Sequence, residues 1–431
     1  MILSASLALP SSLLTALIAA PAPPQASQLF VDSVDARLTA LEKQLEAARR
    51  PEALQWSFKD GLRFESADKA FQLKLGGRMQ LDTFFGKSDD DFESTTGKTL
   101  EDGSQMRRAR LALAGTIYEK VDFKWEFDWA DKDGKSKLVD VYAGLYGPGA
   151  IPSVRAGHFR EPLFLEMLSS SNDVSFQERS LPLALVPQRN LGLQLFDSLF
   201  TDRFTYAVGV FRDTTDQGLG QEDGRSAVTA RLTGLPWFED DSHLLHVGVA
   251  ASRRSPPADT VAYKSKPEAN LAPDVVDTGN LTDADDVTLL GLETALLFGP
   301  FSLQGEWVES RVDSAAKGDP KFSGLYATAT WTWTGEPRRY RKSEATLQSP
   351  RPTTNVGQGG YGAWESALRW STLDLEDGGV AGGEVTDLTL GLNWYLNPVT
   401  RITWNLIRST LDRAPDDGTA ELFEMRIQLA F

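Results

Sequence analysis

From Phe71 to the end of the chain, apolar and polar residues alternate one by one. In the stretch 121–129, Val121, Phe123, Trp125, Phe127 and Trp129 are opposed by Asp122, Lys124, Glu126 and Asp128. Successive side chains of a β-strand point to opposite faces, so a period of two residues predicts strands with one apolar and one polar face. The pattern therefore predicts an all-β protein.

The alternation divides into sixteen segments. They cover residues 71–85, 105–117, 121–130, 137–146, 153–159, 190–197, 203–212, 226–234, 244–254, 287–298, 300–311, 322–333, 362–372, 384–396, 400–411 and 421–431. An even number of strands lets an antiparallel sheet close with both termini on one side. Short connections such as 118–120 alternate with long ones such as 160–189, which is typical of a barrel with short turns on one side of a membrane and long loops on the other. One connection, 334–361, is long but falls on the side of the short turns.

Alternation alone fits two architectures. A soluble sandwich packs its apolar faces together, whereas a transmembrane barrel turns them toward lipid and lines its lumen with polar residues. Two features favour a transmembrane antiparallel β-barrel of 16 strands. Tryptophans that suit interfacial girdles recur near the predicted strand ends, at Trp125, Trp129, Trp331, Trp333, Trp364, Trp370, Trp394 and Trp404. The last alternating segment also ends the chain on an aromatic residue, Phe431, as outer-membrane barrels do.

The first 70 residues carry different signals. Residues 1–26 are interpreted as a signal peptide, because an apolar stretch is followed by small residues and prolines; a membrane anchor is the rival interpretation. Residues 28–50 predict a helix whose apolar residues recur at heptad spacing. A helix this short is marginal alone, so we expect either a periplasmic coiled coil of several copies or a helix packed on its own domain or frayed. Residues 51–70 are assigned to a linker or N-terminal hairpin, and 71–431 to the barrel.

Composition narrows the class of protein. The 431 residues contain no cysteine, so an exported fold has no disulfides to stabilise it. After the N-terminal segment no run of about 18 apolar residues occurs, which excludes a helical membrane protein. The formal net charge of −16 argues against nucleic acid as a partner, because a phosphate backbone attracts basic surfaces.

The connection 160–189 is the third external one by position, and it is apolar. It carries Leu163, Phe164, Leu165, Met167 and Leu168. A long apolar loop does not remain in water, so we expect an inward-folded third external loop that constricts the lumen.

Arginines of the neighbouring predicted strands fall on the polar face, which points toward the lumen of a transmembrane barrel. Arg78, Arg108 and Arg110 fall on polar faces, and Arg107 lies at a strand end from which it can bend inward. A guanidinium donates hydrogen bonds in pairs and stays charged, which suits passage of oxyanions. The alternative is that these arginines pair with lumen carboxylates and keep a polar wall neutral.

Several segments resemble the phosphate-selective porins O and P. They are GRMQLD (77–82), RRARLALAGTIY (107–118), DVYAGL (140–145), GHFREPLFLEMLSSS (157–171), FQERSLP (176–182), RNLGLQL (189–195) and AWESALRWS (363–371). The resemblance implies a sixteen-stranded, trimeric outer-membrane channel. It also implies a constriction built from wall arginines, an aspartate that holds a loop arginine, and loop hydroxyls. These roles fall on Arg78, Arg107 and Arg108, on Asp140 and Arg179, and on Ser170 and Ser171.

The sequence departs from the family in one respect that concerns the solute. Phosphate-selective members place lysine in the constriction, but 159–179 contains none. A larger oxyanion or a weakly anion-selective pore is therefore an open alternative to orthophosphate.

The expected function is passive diffusion of small solutes across the outer membrane, with a preference for anions. Expected partners are outer-membrane lipid, small anionic solutes and two further copies in a homotrimer. The alternatives are a general non-selective porin and a structural barrel that tethers envelope layers. No catalytic residue, metal ligand set or cofactor motif is predicted, because the three histidines lack carboxylates at ligand spacing and no nucleophile elbow occurs.

Overall fold

The computed structural model describes residues 33–43, 54–58, 61–130, 135–148, 151–220, 226–413 and 416–431. Sixteen strands within these residues each pair antiparallel with the next along the chain. They are β1 Phe71–Ser88, β2 Gly103–Ile117, β3 Val121–Asp128, β4 Lys137–Leu145, β5 Ser153–Arg160, β6 Arg189–Leu199, β7 Phe204–Arg212, β8 Ala227–Asp240, β9 His243–Arg254, β10 Asp286–Phe298, β11 Phe301–Asp313, β12 Lys321–Thr332, β13 Ala363–Asp377, β14 Val380–Asn397, β15 Thr400–Arg413 and β16 Asp416–Ala430.

The sheet closes where its last strand meets its first. β16 pairs with β1, with Ala430 opposite Arg78. Beyond this pair, Gly77 and Phe431 exchange two backbone hydrogen bonds of 2.8 and 3.0 Å. A Cβ atom at Gly77 would lie 2.7 Å from the Phe431 ring, so glycine is required for this close approach. The prediction of a 16-stranded antiparallel barrel is confirmed.

The two faces of the strands differ as a transmembrane barrel requires. Trp125 and Leu390 point outward and are 52% and 54% exposed, whereas the adjacent Glu126 and Thr389 point inward and are 4% and 0% exposed. Apolar side chains therefore cover the outside of the barrel, and the sandwich interpretation is wrong.

The interior of the barrel is not polar throughout. Inward-facing apolar residues on β10 to β13 form a buried cluster with apolar residues of the connecting segments. The strand residues include Val287, Leu289, Val308, Phe322 and Leu373, and the segment residues include Phe92, Leu163, Phe164 and Val276. The expectation that polar residues line the whole lumen is therefore wrong for this part of the wall, because inserted segments replace water there.

The remaining elements are short. Strands Gln55–Phe58 and Leu62–Glu65 form a hairpin whose second strand pairs with β1. The connections contain helices Asp90–Thr96 and Leu165–Leu168, 3₁₀ turns Leu181–Leu185, Pro257–Asp259, Ala315–Lys317 and Lys342–Glu344, and the strand pairs Thr260–Val261 with Leu281–Thr282, Lys264–Ser265 with Val276–Asp277, and Arg339–Arg341 with Thr346–Gln348.

The N-terminal part of the chain is described only in part. Residues 33–43 form a helix, and the predicted signal peptide 1–26 lies outside the described residues. Among the described helices, none has the length and apolar character needed to cross a membrane.

Candidate functional site

The segment 161–188, between β5 and β6, packs against the inner face of the barrel wall. Three of its side chains lie on glycines of the wall strands: Phe164 on Gly291, Pro182 on Gly324 and Phe176 on Gly391. A Cβ atom at Gly291 would lie 1.7 Å from the ring of Phe164. Glycine within a strand allows this close approach of a second segment, so the wall is shaped to receive the segment.

Buried wall arginines hold the backbone of the same segment. Arg401 donates to the carbonyl of Val174 at 2.8 Å, and Arg426 donates to that of Gln177 at 2.5 Å. From β5, Arg160 donates to the carbonyl of Ser169 at 2.9 Å. Charged donors make strong hydrogen bonds in a water-poor interior, so the segment is fixed from both sides of the lumen.

The segment 334–361, between β12 and β13, also reaches the segment 161–188. Buried Arg338 donates to both carboxylate oxygens of Glu365 on β13, at 3.1 and 3.2 Å, and to Ser175 Oγ at 2.6 Å. The backbone N–H and the hydroxyl of Ser349 donate to Asp173 at 3.0 and 2.9 Å. The long connection on the short-turn side is therefore an inserted segment.

A cavity of about 660 Å³ remains beside these segments, and its lining is rich in positive charge. Thirteen lysine or arginine side chains line it: Arg63, Lys74, Arg78, Arg110, Lys124, Arg155, Arg160, Arg189, Arg231, Arg339, Arg341, Arg351 and Arg401. Five acidic side chains face it: Glu126, Asp140, Asp173, Asp197 and Glu344. The side chains of the lining therefore carry a net positive charge, whereas the net charge of the whole chain is −16.

Asp140 on β4 is the centre of one charged network in this cavity. It accepts from Arg189 Nε at 2.8 Å and from Lys124 Nζ at 2.6 Å. Lys124 also lies 2.6 Å from Glu126, which in turn lies 3.4 Å from Arg110. The two acids hold three cationic groups side by side along the wall.

The expected hydroxyls lie at the edge of this network. Arg78 on β1 donates to Ser171 Oγ at 2.5 Å, and Ser170 Oγ accepts from the backbone N–H of Asn172 at 3.2 Å. Both serines line the cavity. The structure therefore brings together Arg78, Arg110, Asp140, Ser170 and Ser171 among the predicted site residues.

Arg107 and Arg108 belong to a second charged cluster. Arg107 donates to both carboxylate oxygens of Glu178, at 2.8 and 3.0 Å, and Arg108 donates to Gln80 at 2.6 Å. A β-bulge lies here: Gln80 faces Arg108 and Leu81 faces Met106, which leaves Arg107 as the extra residue. The bulge turns Arg107 inward, which a regular strand with the same alternation forbids.

Arg179 lies in the segment 161–188 and holds its backbone. It donates to the carbonyls of Glu166 at 3.0 Å and Ser169 at 2.8 Å. Burial and the nearby Arg189 lower the pKa of Arg179 to about 10, so it stays charged at neutral pH. The resemblance implied that Asp140 holds Arg179, whereas in the structure Asp140 holds Arg189 and Lys124.

Sequence reasoning missed several cationic residues of the cavity. Lys124 falls on the polar, lumen-facing side of its strand, and this signal identifies it once the barrel is assumed. Arg189 has the parity of the outward-facing Leu191 and Leu193, so the alternation does not identify it. Arg339, Arg341 and Arg351 lie in 334–361, where no alternation shows which side chains point to the cavity.

A sequence model of the family "Phosphate-selective porin O and P" matches residues 73–431. The chain belongs to this family. Porin O of Pseudomonas aeruginosa is 29% identical over 418 residues, which cover 86% of this chain and 91% of Porin O. An uncharacterised protein of Caulobacter vibrioides is 26% identical and covers 91% of this chain and 78% of its own length.

Solved porins share the fold of this family member. An anion-selective porin from Comamonas acidovorans superposes with a TM-score of 0.53 at 14% identity and covers 84% of this chain and 100% of its own. The outer-membrane channel DcaP of Acinetobacter baumannii gives a TM-score of 0.54 at 13% identity and covers 85% and 99%. Family membership and fold together make the protein an outer-membrane porin.

Proposed function

We propose that this porin lets small anions, oxyanions such as phosphate included, diffuse passively across the outer membrane through a constriction lined by arginine. The observation that carries the proposal is the lining of the cavity, where thirteen basic side chains face five acidic ones. A narrow polar passage with excess positive charge concentrates anions and repels cations. Arg110, Arg155 and Arg231 of the lining also pair with Asp128, Asp122 and Glu293 outside it, and the basic side chains still outnumber all these acids.

The segments 161–188 and 334–361 form the constriction in this proposal. Both are held by buried charge-assisted hydrogen bonds, and both contribute residues to the cavity. Rigid walls keep the guanidinium groups apart, so an anion meets several donors without being enclosed by them. Weak contacts in series favour passage over retention.

The reversal potential in a planar bilayer under a potassium chloride gradient tests the proposal. We expect the sign of an anion-preferring channel, whereas cation preference would contradict it. Replacing Arg78 or Arg110 by glutamine should lower the chloride-over-potassium permeability ratio by about twofold or more. Arg253→Ala is the matched control, because Arg253 is 71% exposed at the end of β9 and pairs with Asp286.

We also propose that the protein is a homotrimer, because the three consecutive strands β3, β4 and β5 are short. β3 and β5 have eight residues and β4 has nine. At a tilt of about 40°, eight residues span about 20 Å, less than the apolar band of about 25 Å. Contact with neighbouring copies would cover this side of the barrel. The mass of the detergent-solubilised protein tests this, and a monomer would contradict it.

The helix 33–43 supports a coiled coil at the periplasmic N-terminus. Val34, Leu38 and Leu41 follow heptad spacing and are 39%, 51% and 62% exposed. Packing between copies would bury them. Deletion of 28–50 should leave the conductance unchanged and weaken the trimer.

A further inference from the structure

Glu178 of the segment 161–188 lies among three arginines of the barrel wall. Its carboxylate accepts from Arg107 Nε at 2.8 Å and Nη2 at 3.0 Å, and from Arg426 Nη2 at 2.9 Å. Arg108 Nη2 lies 3.9 Å away. Three guanidinium groups from β2 and β16 therefore converge on one pair of carboxylate oxygens.

This arrangement of donors is also one that an oxyanion requires. Carboxylate and phosphate oxygens accept the same paired N–H groups of arginine. The β-bulge at Arg107 brings two neighbouring residues of one strand to the same carboxylate. Two of the arginines also have other partners that hold them in place, because Arg426 donates to both oxygens of Asp82 and Arg108 donates to Gln80.

Three guanidinium groups and three carboxyl groups make up this cluster. Arg107, Arg108 and Arg426 face two carboxylates, Glu178 and Asp82. Glu424, buried on β16, faces the same groups. Among the ion pairs of the described residues, Arg107 and Arg108 pair with Glu178, and Arg426 also pairs with Asp82. Loss of the Glu178 charge would therefore leave Arg107 and Arg108 without an ion-pair partner.

The pair formed by Arg107 and Glu178 is the most exposed part of this cluster. The side chains of Arg107 and Glu178 keep 24% and 17% of their surface exposed, whereas that of Arg426 is 0% exposed. An ion in the lumen therefore meets the Arg107–Glu178 pair first. Because Glu178 belongs to an inserted segment and the arginines belong to the wall, the carboxylate can be exchanged for a solute without rearranging the barrel.

We propose that Glu178 is a built-in occupant of an oxyanion site formed by Arg107, Arg108 and Arg426. This inference rests on the proposed anion channel and identifies one residue that sets its affinity. With Glu178 in place, phosphate competes with an attached carboxylate and binds weakly. Glu178 thus keeps the site permeable and reduces its power to retain phosphate.

Titration of the chloride current with inorganic phosphate in a planar bilayer tests the inference. Glu178→Gln keeps the size of the side chain and removes its charge. We expect the phosphate concentration that halves the chloride current to fall by about tenfold relative to the native protein. A second variant, Glu178→Ala, should also lower this phosphate concentration, so the test does not depend on the conformation of one substituted side chain. An unchanged block in both variants would overturn the inference.

Two further variants separate the site from a general change of charge. Glu161→Gln makes the same change in the same segment, but Glu161 pairs with one arginine, Arg254, at 2.7 and 2.8 Å. We expect the phosphate concentration that halves the chloride current to be the same in Glu161→Gln as in the native protein. Adding Arg107→Ala to Glu178→Gln should return the phosphate concentration that halves the chloride current to the native value. A gain in Glu161→Gln as large as that in Glu178→Gln would contradict a three-arginine site.

Different measurements test the role of Glu178 and the proposed anion preference, so either can fail without the other being misjudged. The reversal potential of the native protein decides whether the channel prefers anions. An anion-preferring native channel with unchanged phosphate block in both Glu178 variants would remove this inference alone. A cation-preferring native channel would remove the proposed function.

Discussion

At the scale of single residues, buried guanidinium groups organise the lumen. Arg369, Arg401 and Arg426 are 1%, 2% and 0% exposed. Burial of a charge is costly unless carboxylates and further hydrogen bonds compensate it. Arg369 and Arg426 meet both conditions, because each contacts a carboxylate and also a backbone carbonyl of 161–188. These arginines therefore couple the wall to the inserted segment.

The charge state of Glu178 leads to a prediction about pH. Burial raises its pKa, but Arg107, Arg108 and Arg426 outweigh burial and hold the pKa well below the ordinary value. An acid with a lowered pKa in the folded state stays ionised until the pH falls through that lowered value. We expect the permeability ratios of the native protein and Glu178→Gln to differ by a constant factor between about pH 8 and about pH 5.

Reversal potentials recorded over this pH range provide the measurement. The two proteins should still differ at the ordinary pKa of a glutamate, about 4.3, because the three arginines hold the pKa of Glu178 well below its usual range. Convergence around pH 4.3, the ordinary value for a glutamate, or at any higher pH would show that the three arginines do not hold Glu178 in its ionised form.

Arg107 shows how far single residues can be predicted from the sequence. The alternation placed Arg78, Arg108 and Arg110 on the lumen side and gave Arg107 the lipid phase. The bulge turns Arg107 toward the lumen instead, and no residue near Arg107 in the sequence indicates that a bulge forms there. Partners such as Glu178, 71 positions further along the chain, follow from the fold of 161–188 and not from local pattern.

At the scale of elements, glycines of the wall decide where the segment 161–188 lies. Gly291, Gly324 and Gly391 each face a side chain of the segment. A wall residue with a larger side chain would push the segment away. The position of the segment is therefore set by the strands as much as by its own sequence.

Substitution of one of these glycines should displace the segment. In Gly291→Ala the new methyl group would overlap Phe164, whose nearest ring atom would be 1.7 Å away. We expect a loss of about 1–3 kcal/mol in the free energy of unfolding, as for other overpacked sites, and a changed single-channel conductance. Urea unfolding of the refolded protein and bilayer recordings measure the two effects.

Gly234→Ala is the control for this substitution. The nearest atom to a Cβ at Gly234 is 4.0 Å away, so stability and conductance should stay at the native values. Adding Phe164→Leu to Gly291→Ala should recover part of the loss. Native behaviour of Gly291→Ala alone would show that Phe164 does not rest on this glycine.

The connections were harder to predict than the strands. All sixteen strands have a period that can be read locally, although several extend beyond the predicted limits, such as β8 to Asp240 and β13 to Asp377. For the segment 334–361, the single signal in the sequence was its unusual length. Its partners, Ser175, Glu365 and Asp173, lie on separate elements, and no periodicity links them to Arg338.

At the scale of the whole molecule, the outward apolar face is the property that makes the barrel a membrane protein. Leu390 on β14 is 54% exposed, and the adjacent Thr389 is buried in the lumen. In Leu390→Arg a charge would face hydrocarbon. We expect this to cost about 2–4 kcal/mol in the free energy of unfolding if the position lies near the midplane of the bilayer.

Unfolding by urea in lipid vesicles measures this cost. Leu390→Met is the control, because it keeps an apolar side chain of similar volume and should match the native protein. An arginine variant as stable as the native protein would show that Leu390 does not face lipid.

The pairing of β16 with β1 has a consequence for how the chain matures. The hydrogen bond between Gln80 and Gln428 joins residues 348 positions apart, and Gly77 has its partner in the final residue. The seam cannot form before β16 has been synthesised, so a chain that lacks β16 presents two unpaired sheet edges that can pair with other chains. Export must therefore deliver the polypeptide unfolded and shielded, and a chain truncated by one strand would lack any closed, lipid-compatible state.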